Sequence, residues 1–173
     1  ISVKRWFVSD GQRQVSEFVK SLGFDVCDND RTTIAPNELD ILVPSHKVAI
    51  EYCGLYWHSD QRLDRLYHHR KHTLCKNVGI RLITMFEDEW LHRRSTVEHK
   101  LKSILGVDSR IPLAARKCTP NIVDTHTKHQ FFESHHVQGD GPSSINVGLY
   151  DSSNRLVSCM GFIANQRRYV LNR

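Results

Sequence analysis

The sequence predicts an α/β core over residues 1–106, followed by a small α+β unit over residues 107–173. Three observations carry this. Apolar positions recur at helical spacing or gather in short runs, in the order helix, strand, strand, helix, strand, helix. A polar stretch containing Pro112 and Pro120 then interrupts the pattern. Beyond it come one helix-like segment and two apolar runs that read as a hairpin.

The first helix starts at Ser9 or Asp10, because a short polar side chain can accept from a free N–H of the first turn. Val15, Phe18, Val19 and Leu22 form its apolar face, and Gly23 stops it. Asp28-Asn29-Asp30-Arg31 reads as a turn. Residues 39–43 and 47–52 are short strands joined by a turn at 44–46, and Gly54 ends the second. Residues 60–77 form a helix with Leu63, Leu66, Tyr67 and Leu74 on one side and Arg62, Arg65, Arg70 and Lys71 around the rest. Gly79 ends it, and residues 80–86 are a buried strand by composition. Glu87-Asp88-Glu89 precedes a helix over 90–105, where acidic residues suit the N-terminal dipole. In the second unit, 125–135 is a helix and 139–142 a loop. Residues 147–150 and 156–163 pair around 151–154, and 169–171 begins another strand. A unit of roughly 60 residues with two or three strands is marginal as a core of its own. It is expected either to pack on the first unit or to begin a longer domain. The chain opens on Ile1 and stops at Arg173 just past a strand-like run, which reads as a piece of something longer.

The chain has 173 residues, 39% of them hydrophobic and 25% charged, which excludes a disordered tail, a collagen-like chain and a coiled coil. Its apolar runs fall far short of the roughly 20 residues of a membrane span. Lys and Arg number 24 against 19 acids, a net charge of +5, with 11 histidines besides. The excess is uneven: residues 1–40 carry five basic against seven acidic side chains, while 41–110 carry twelve against eight. A basic majority with local acidic clusters suits a protein that grips a polyanion and holds a cation; a basic domain with no polyanion partner stays open on charge alone. Five cysteines at wide spacing, with no CxxC pair, argue against a disulfide scaffold and for a reducing compartment. The expected location is therefore cytoplasmic. His68, His72 and Cys75 share one helix face at i, i+4 and i+7, where either a metal or a partly buried basic face accounts for them.

The stretch richest in chemistry runs from Glu38 to His58. Asp40 opens one strand and Glu51 closes the next, so an antiparallel hairpin makes them neighbours. Two carboxylates held together among apolar strands repel each other, and a divalent cation relieves that penalty. Mg²⁺ fits, because it takes one or two carboxylates and keeps its other positions for water and phosphate oxygens. Metal-assisted hydrolysis at such a pair would also need a proton acceptor near neutral pH, and His58 comes seven residues after Glu51. His68 and Lys71 sit one turn apart on the basic helix, placed to stabilise a leaving oxygen or to bind phosphate.

An aspartate, ten intervening residues, then a glutamate on the next strand resembles the PD-(D/E)XK nuclease pattern. Gly54-Leu55-Tyr56-Trp57-His58 is similar to the Gly-x-aromatic-Trp-His signature of very short patch repair (Vsr) endonucleases. Residues 79–90 resemble the Vsr-like, EDxHD-type homing endonucleases of phages, and the likeness covers residues 9–105. The resemblance implies a restriction-endonuclease-like mixed sheet flanked by helices. It implies a Mg²⁺- or Mn²⁺-dependent enzyme that hydrolyses duplex DNA at a specific site in a phage or bacterial setting. It assigns Asp40 and Glu51 to the metal, His58 to the attacking water or phosphate, and Gln14 to the position of the family's first-helix glutamate.

Departures are visible. Cys53 stands where the general pattern has lysine, which leaves that role to His58 or Lys71. Leu55 replaces a cysteine of the Vsr zinc site, so no structural zinc is expected. Arg62, Arg65, Arg70, Lys71 and Lys76 offer phosphate contacts, and Tyr56 and Trp57 offer wedges between bases. In the second unit Arg116, Lys117, Lys128, Arg167 and Arg168 are candidates for flanking DNA. That unit distantly resembles the first half of a GNAT or Mom-like acetyltransferase domain, but the Gly-rich pyrophosphate loop is missing, so no small-molecule cofactor is expected. No membrane partner is expected, and a homodimer is left open. Two alternatives accompany the nuclease: a mismatch-directed nicking repair enzyme, and a DNA-binding module whose nuclease core has degenerated at Gln14 and Cys53.

Overall fold

The computed structural model describes residues 8–54, 65–108 and 113–163, and the side chains of all of these except 65–67. The chain divides into two compact units, Ile1–Asp108 and Ser109–Arg173. Among the described residues no helix is long and apolar enough to cross a membrane.

The first unit is a four-stranded mixed sheet flanked by helices. Its elements are α1 (Asp10–Ser21), β1 (Cys27–Asp30), β2 (Leu39–Val43), β3 (Val48–Cys53), α2 (Arg65–Asn77), β4 (Arg81–Phe86), α3 (Glu87–His92) and α4 (Arg94–Ile104). The strand order is β1-β2-β3-β4. The first three strands run antiparallel, and β4 returns parallel to β3 after the crossover that contains α2. Ser9 caps α1 by accepting from the Gln12 N–H at 3.1 Å, and Gly23 leaves it with φ 91°.

The central strands β2 and β3 are buried on both faces, as their near-continuous apolar runs require. Ile41, Val43, Val48 and Ile50 share one face with Ile83 and Met85. Leu42 and Ala49 lie on the other, clustered with Cys75 of α2. The first face receives α1, whose Gly11 lies directly against the Tyr52 ring.

In the first unit two elements differ from the sequence reading. Residues 27–30 are a strand, with Cys27 opposite Leu42 and Asp30 opposite Leu39, not a turn. Helix α1 holds two of their polar side chains: Asp28 accepts from Ser16 Oγ at 2.6 Å and pairs with Lys20 Nζ at 2.7 Å, and Asn29 accepts from Gln12 Nε2 at 3.0 Å. Tertiary hydrogen bonds here override poor strand propensity. The predicted helix over 90–105 is two helices, broken at Arg93, whose backbone (φ −131°, ψ 30°) leaves the helical region.

The second unit contains β5 (Thr119–Ile122), α5 (Thr125–His135), β6 (Ile145–Tyr150) and β7 (Leu156–Phe162). The sheet order is β5-β6-β7, antiparallel throughout. The helix and the hairpin fall where the sequence places them. β5 occupies the end of the stretch read as linker. Pro120 is tolerated because β5 pairs on one side only among the described residues. The strand expected at 169–171 lies outside the described residues.

The close approach of α1 to β3 gives a stability test. A Cβ on Gly11 would overlap the Tyr52 hydroxyl and ring. Gly11→Ala is therefore expected to destabilise the fold by about 1–3 kcal/mol in urea denaturation, despite alanine's better helix propensity. An unchanged or raised midpoint contradicts this packing.

A candidate active site on the β2–β3 hairpin

The register of β2 with β3 pairs Ile41 with Ile50. One further step sets Asp40 opposite Glu51, with both side chains on the face that carries Leu42 and Ala49. Asp40 Oδ2 accepts from the Tyr52 N–H at 2.9 Å, which fixes one oxygen against the end of β3. Glu51 receives the Lys71 ammonium on both carboxylate oxygens. The Lys71 side chain is 3% exposed and that of Glu51 13%.

Helix α2 delivers this lysine through its periodicity. Lys71 and Cys75 lie one turn apart, and both face the sheet. The positions between them, residues 72–74, are exposed. The four-carbon stem crosses the apolar layer and carries the charge to the hairpin end.

Burial dominates the electrostatics. It raises the Asp40 pKa, against the pull of the Tyr52 N–H and the Lys71 charge. It pushes Glu51 from 4.5 up to about 7, helped by the Asp40 charge and opposed by Lys71. Cys53 is pushed up to about 11 by burial and by both carboxylates, so it is a neutral thiol near pH 7 and no substitute for a cationic lysine. Two carboxylates share one ammonium, so the fully ionised cluster carries one negative charge in excess.

That donor set fits a divalent cation of the magnesium type. Among the described residues no three His, Cys, Asp or Glu side chains gather into a larger ligand group. Asp40 and Glu51 could supply two oxygen ligands to such an ion, leaving its other positions to water and phosphate oxygens.

The remaining sequence candidates separate into groups. Gln14 is not brought to the carboxylates: its amide donates to Asp10 Oδ2 at 2.6 Å and accepts from Trp90 Nε1 at 3.1 Å and Arg94 at 3.4 Å. Gln12 is the residue of α1 that reaches β2. It is 8% exposed, and its Nε2 donates to the Asp40 carbonyl at 3.2 Å and to Asn29 Oδ1 at 3.0 Å. The signal was present, since Gln12 falls on the helix face of Val15, Ser16 and Val19. Lys71 was named both as a phosphate contact and as a stand-in for the missing lysine; it is an inward residue paired with Glu51, not a surface contact. His68, Arg70 and Lys76 of α2 are exposed. Arg65 lies in the first turn of α2. His72 is exposed and Cys75 buried, so with His68 they do not form a three-donor set. In the second unit Arg116 and Lys117 are exposed on a short 3₁₀ turn (Ala115–Lys117), whereas Lys128 is buried and not a surface contact. Tyr56, Trp57, His58, Arg62, Arg167 and Arg168 lie outside the described residues.

The charge cluster has a measurable consequence. A carboxyl whose pKa is higher in the folded than in the unfolded chain favours folding while protonated. Its contribution is present below the unfolded value near 4.5 and is lost as pH rises through about 7. The raised Asp40 acts in the same direction. Thermal unfolding is expected to show stability falling across that window. Added Mg²⁺ should raise the Tm more at pH 8 than at pH 5, and Asp40→Asn should remove that gain. An equal Mg²⁺ effect at both pH values contradicts the assignment.

No family model matches the chain, and no curated protein matches it. Among solved structures it is similar to the catalytic domain of the homing endonuclease I-Bth0305I, at 20% sequence identity and a TM-score of 0.47, over 57% of this chain and 96% of that one.

Proposed function

We propose that this chain is a metal-dependent nuclease acting on duplex DNA, of the Vsr-like branch of the PD-(D/E)XK superfamily, and that its natural role is site-specific cleavage of the homing type. The observation that carries the reading is the cross-strand pair Asp40 and Glu51 with the Lys71 ammonium buried against it. In this reading the missing lysine at Cys53 is supplied from α2, and the nuclease pattern is complete without it. The alternative, a DNA-binding module degenerate at Gln14 and Cys53, is separated from it by the cleavage test below.

Asp40 and Glu51 would hold Mg²⁺ or Mn²⁺. When bound, such an ion polarises a phosphoryl oxygen and lowers the pKa of a coordinated water. Lys71 holds Glu51 in place and keeps a positive charge beside the developing charge of the phosphate. Tyr52 holds Asp40 through its backbone N–H, and Gln12 ties the Asp40 backbone to α1. His58 is assigned the proton transfer. Arg62, Arg65, Arg70 and Lys76 of the α2 region, with Arg116, Lys117, Arg167 and Arg168 of the second unit, are assigned to DNA phosphates. Such contacts supply salt-dependent affinity rather than sequence choice.

The test is cleavage of a randomised duplex library in Mg²⁺ and in Mn²⁺. The wild-type chain is expected to cut a subset of sequences only when metal is present. Asp40→Asn and Lys71→Met should each lower the rate by about 100-fold or more, the scale of losing a charged group at the reacting phosphate. Arg70→Ala should instead weaken DNA binding and flatten its salt dependence, with little effect on cutting at saturating protein. Products nicked in one strand at mismatches would favour the repair enzyme over the homing enzyme. Metal-independent cutting, or full activity in Asp40→Asn, refutes the assignment.

A further inference from the structure

The sheet of the second unit wears its apolar side outward. Residues directly opposite each other on antiparallel strands share a face. Ile122 lies opposite Val147 and Val147 opposite Met160, so the three form a row across β5, β6 and β7. Ile145 and Phe162 form the next row, and Pro120, Leu149 and Ser158 flank the first on its other side. This face is exposed: Ile122 68%, Met160 59%, Ile145 57% and Phe162 50%. The opposite face carries Asn146, Gly148, Cys159 and Gly161. That face is the covered one, with α5 packed against β7, Gly148 buried and Asn146 only 6% exposed. A one-sided antiparallel sheet ordinarily turns its polar side chains to water and its apolar ones to the core. Here the pattern is reversed.

The chemistry of the face limits what can cover it. No charged side chain stands in these rows. A phosphate backbone or an acidic peptide laid here would lose water and find no cation in return. The occupant is apolar where it touches. The exposed parts of the face come to on the order of 500 Å², the size of patch that marks a contact site on a monomer. Two such faces pressed together bury about 1,000 Å² in total, the least that a specific protein interface needs. An uncharged face has no like charges to repel its own copy, and a two-fold pairing requires only that a patch match itself. A unit of roughly 60 residues is also short of core, and a second sheet stacked on the first supplies the missing layer.

We propose that the outer face of the β5–β6–β7 sheet is a self-association surface, on which two copies of this chain pack sheet against sheet about a two-fold axis. The surface belongs wholly to the second unit and does not depend on the nuclease reading.

The test is sedimentation equilibrium of the full chain from about 1 µM to about 100 µM, repeated in about 0.5 M NaCl after nuclease treatment. The weight-average mass is expected to rise from the 20.1 kDa of one chain toward twice that value and to stop there. A dissociation constant on the micromolar scale suits an interface at the small end of the range. Because the contact is apolar, salt should not weaken it. Met160→Lys should raise the dissociation constant by about tenfold or more, since it buries an unpaired ammonium in each half of the contact. Ile122→Lys, on a different strand, should do the same, and it decides if Met160→Lys fails to fold. Leu91→Lys, at an apolar position of the first unit that is 63% exposed, should leave the association intact. A wild-type mass that stays at one chain throughout overturns the proposal and leaves the face to a different protein. So do association lost in salt, growth past two chains, and a dimer that survives in a folded Met160→Lys or Ile122→Lys variant.

Discussion

A buried ammonium paired with Glu51, within electrostatic reach of Asp40, is the constraint on which the first unit turns. Asp40, Glu51 and Lys71 come from three different elements, and none is placed by local sequence alone. The antiparallel register of β2 and β3 sets the acids opposite each other. A slip of one residue would send one of them to the opposite face of the sheet. The parallel return of β4 then requires a long crossover, and that crossover contains the helix that carries Lys71. Sheet topology, helix phase and site charge are thus one arrangement. The cluster is costly as it stands, because burial and mutual repulsion raise both carboxyl pKa values and one ammonium offsets only part of the charge. A structure that keeps such a cost at the end of a hairpin is set up to gain from a further cation.

Much of this was legible in the sequence where side-chain period and stop signals agreed. The strands read at 39–43, 47–52 and 80–86 and the helix read at 125–135 lie within one residue of those formed, Leu39–Val43, Val48–Cys53, Arg81–Phe86 and Thr125–His135. The opposition of Asp40 and Glu51 followed from counting back from a tight turn. What stayed hidden depended on distant partners. Cys27–Asp30 is polar throughout after its first residue, and it becomes a strand because Ser16, Lys20 and Gln12 of α1 satisfy its side chains. Thr119–Ile122 was concealed by Pro120, which an edge position accommodates. Gln14 was chosen by its distance from Asp40 along the chain. The helix phase selects Gln12 instead, which shares the buried face with Val15 and Val19.

The two buried lysines show how charge can mislead a reading by composition. Lys71, also a candidate for the missing lysine's role, and Lys128 were both counted as contacts for a polyanion, yet each is 3% exposed and paired with an acid, Glu51 and Asp140. Both lie on helices whose exposed residues are largely polar, so their inward direction is visible only once the sheet behind them is known. Among the described residues, Arg70, Lys76, Arg116 and Lys117 are the predicted contacts that are exposed. The inward pair instead builds interior chemistry, one beside the acidic hairpin and one in the lining of a cavity.

Calorimetric titration of Mn²⁺ into the whole chain near pH 7, run in two buffers of different ionisation enthalpy, probes the hairpin most directly. The account predicts one ion per chain with proton release, since Glu51 is partly protonated at that pH and must ionise to ligate. It also predicts that both heat and proton release vanish in Asp40→Asn. Binding without proton release, or binding that survives the loss of Asp40, would contradict the claim that these two acids share one cation.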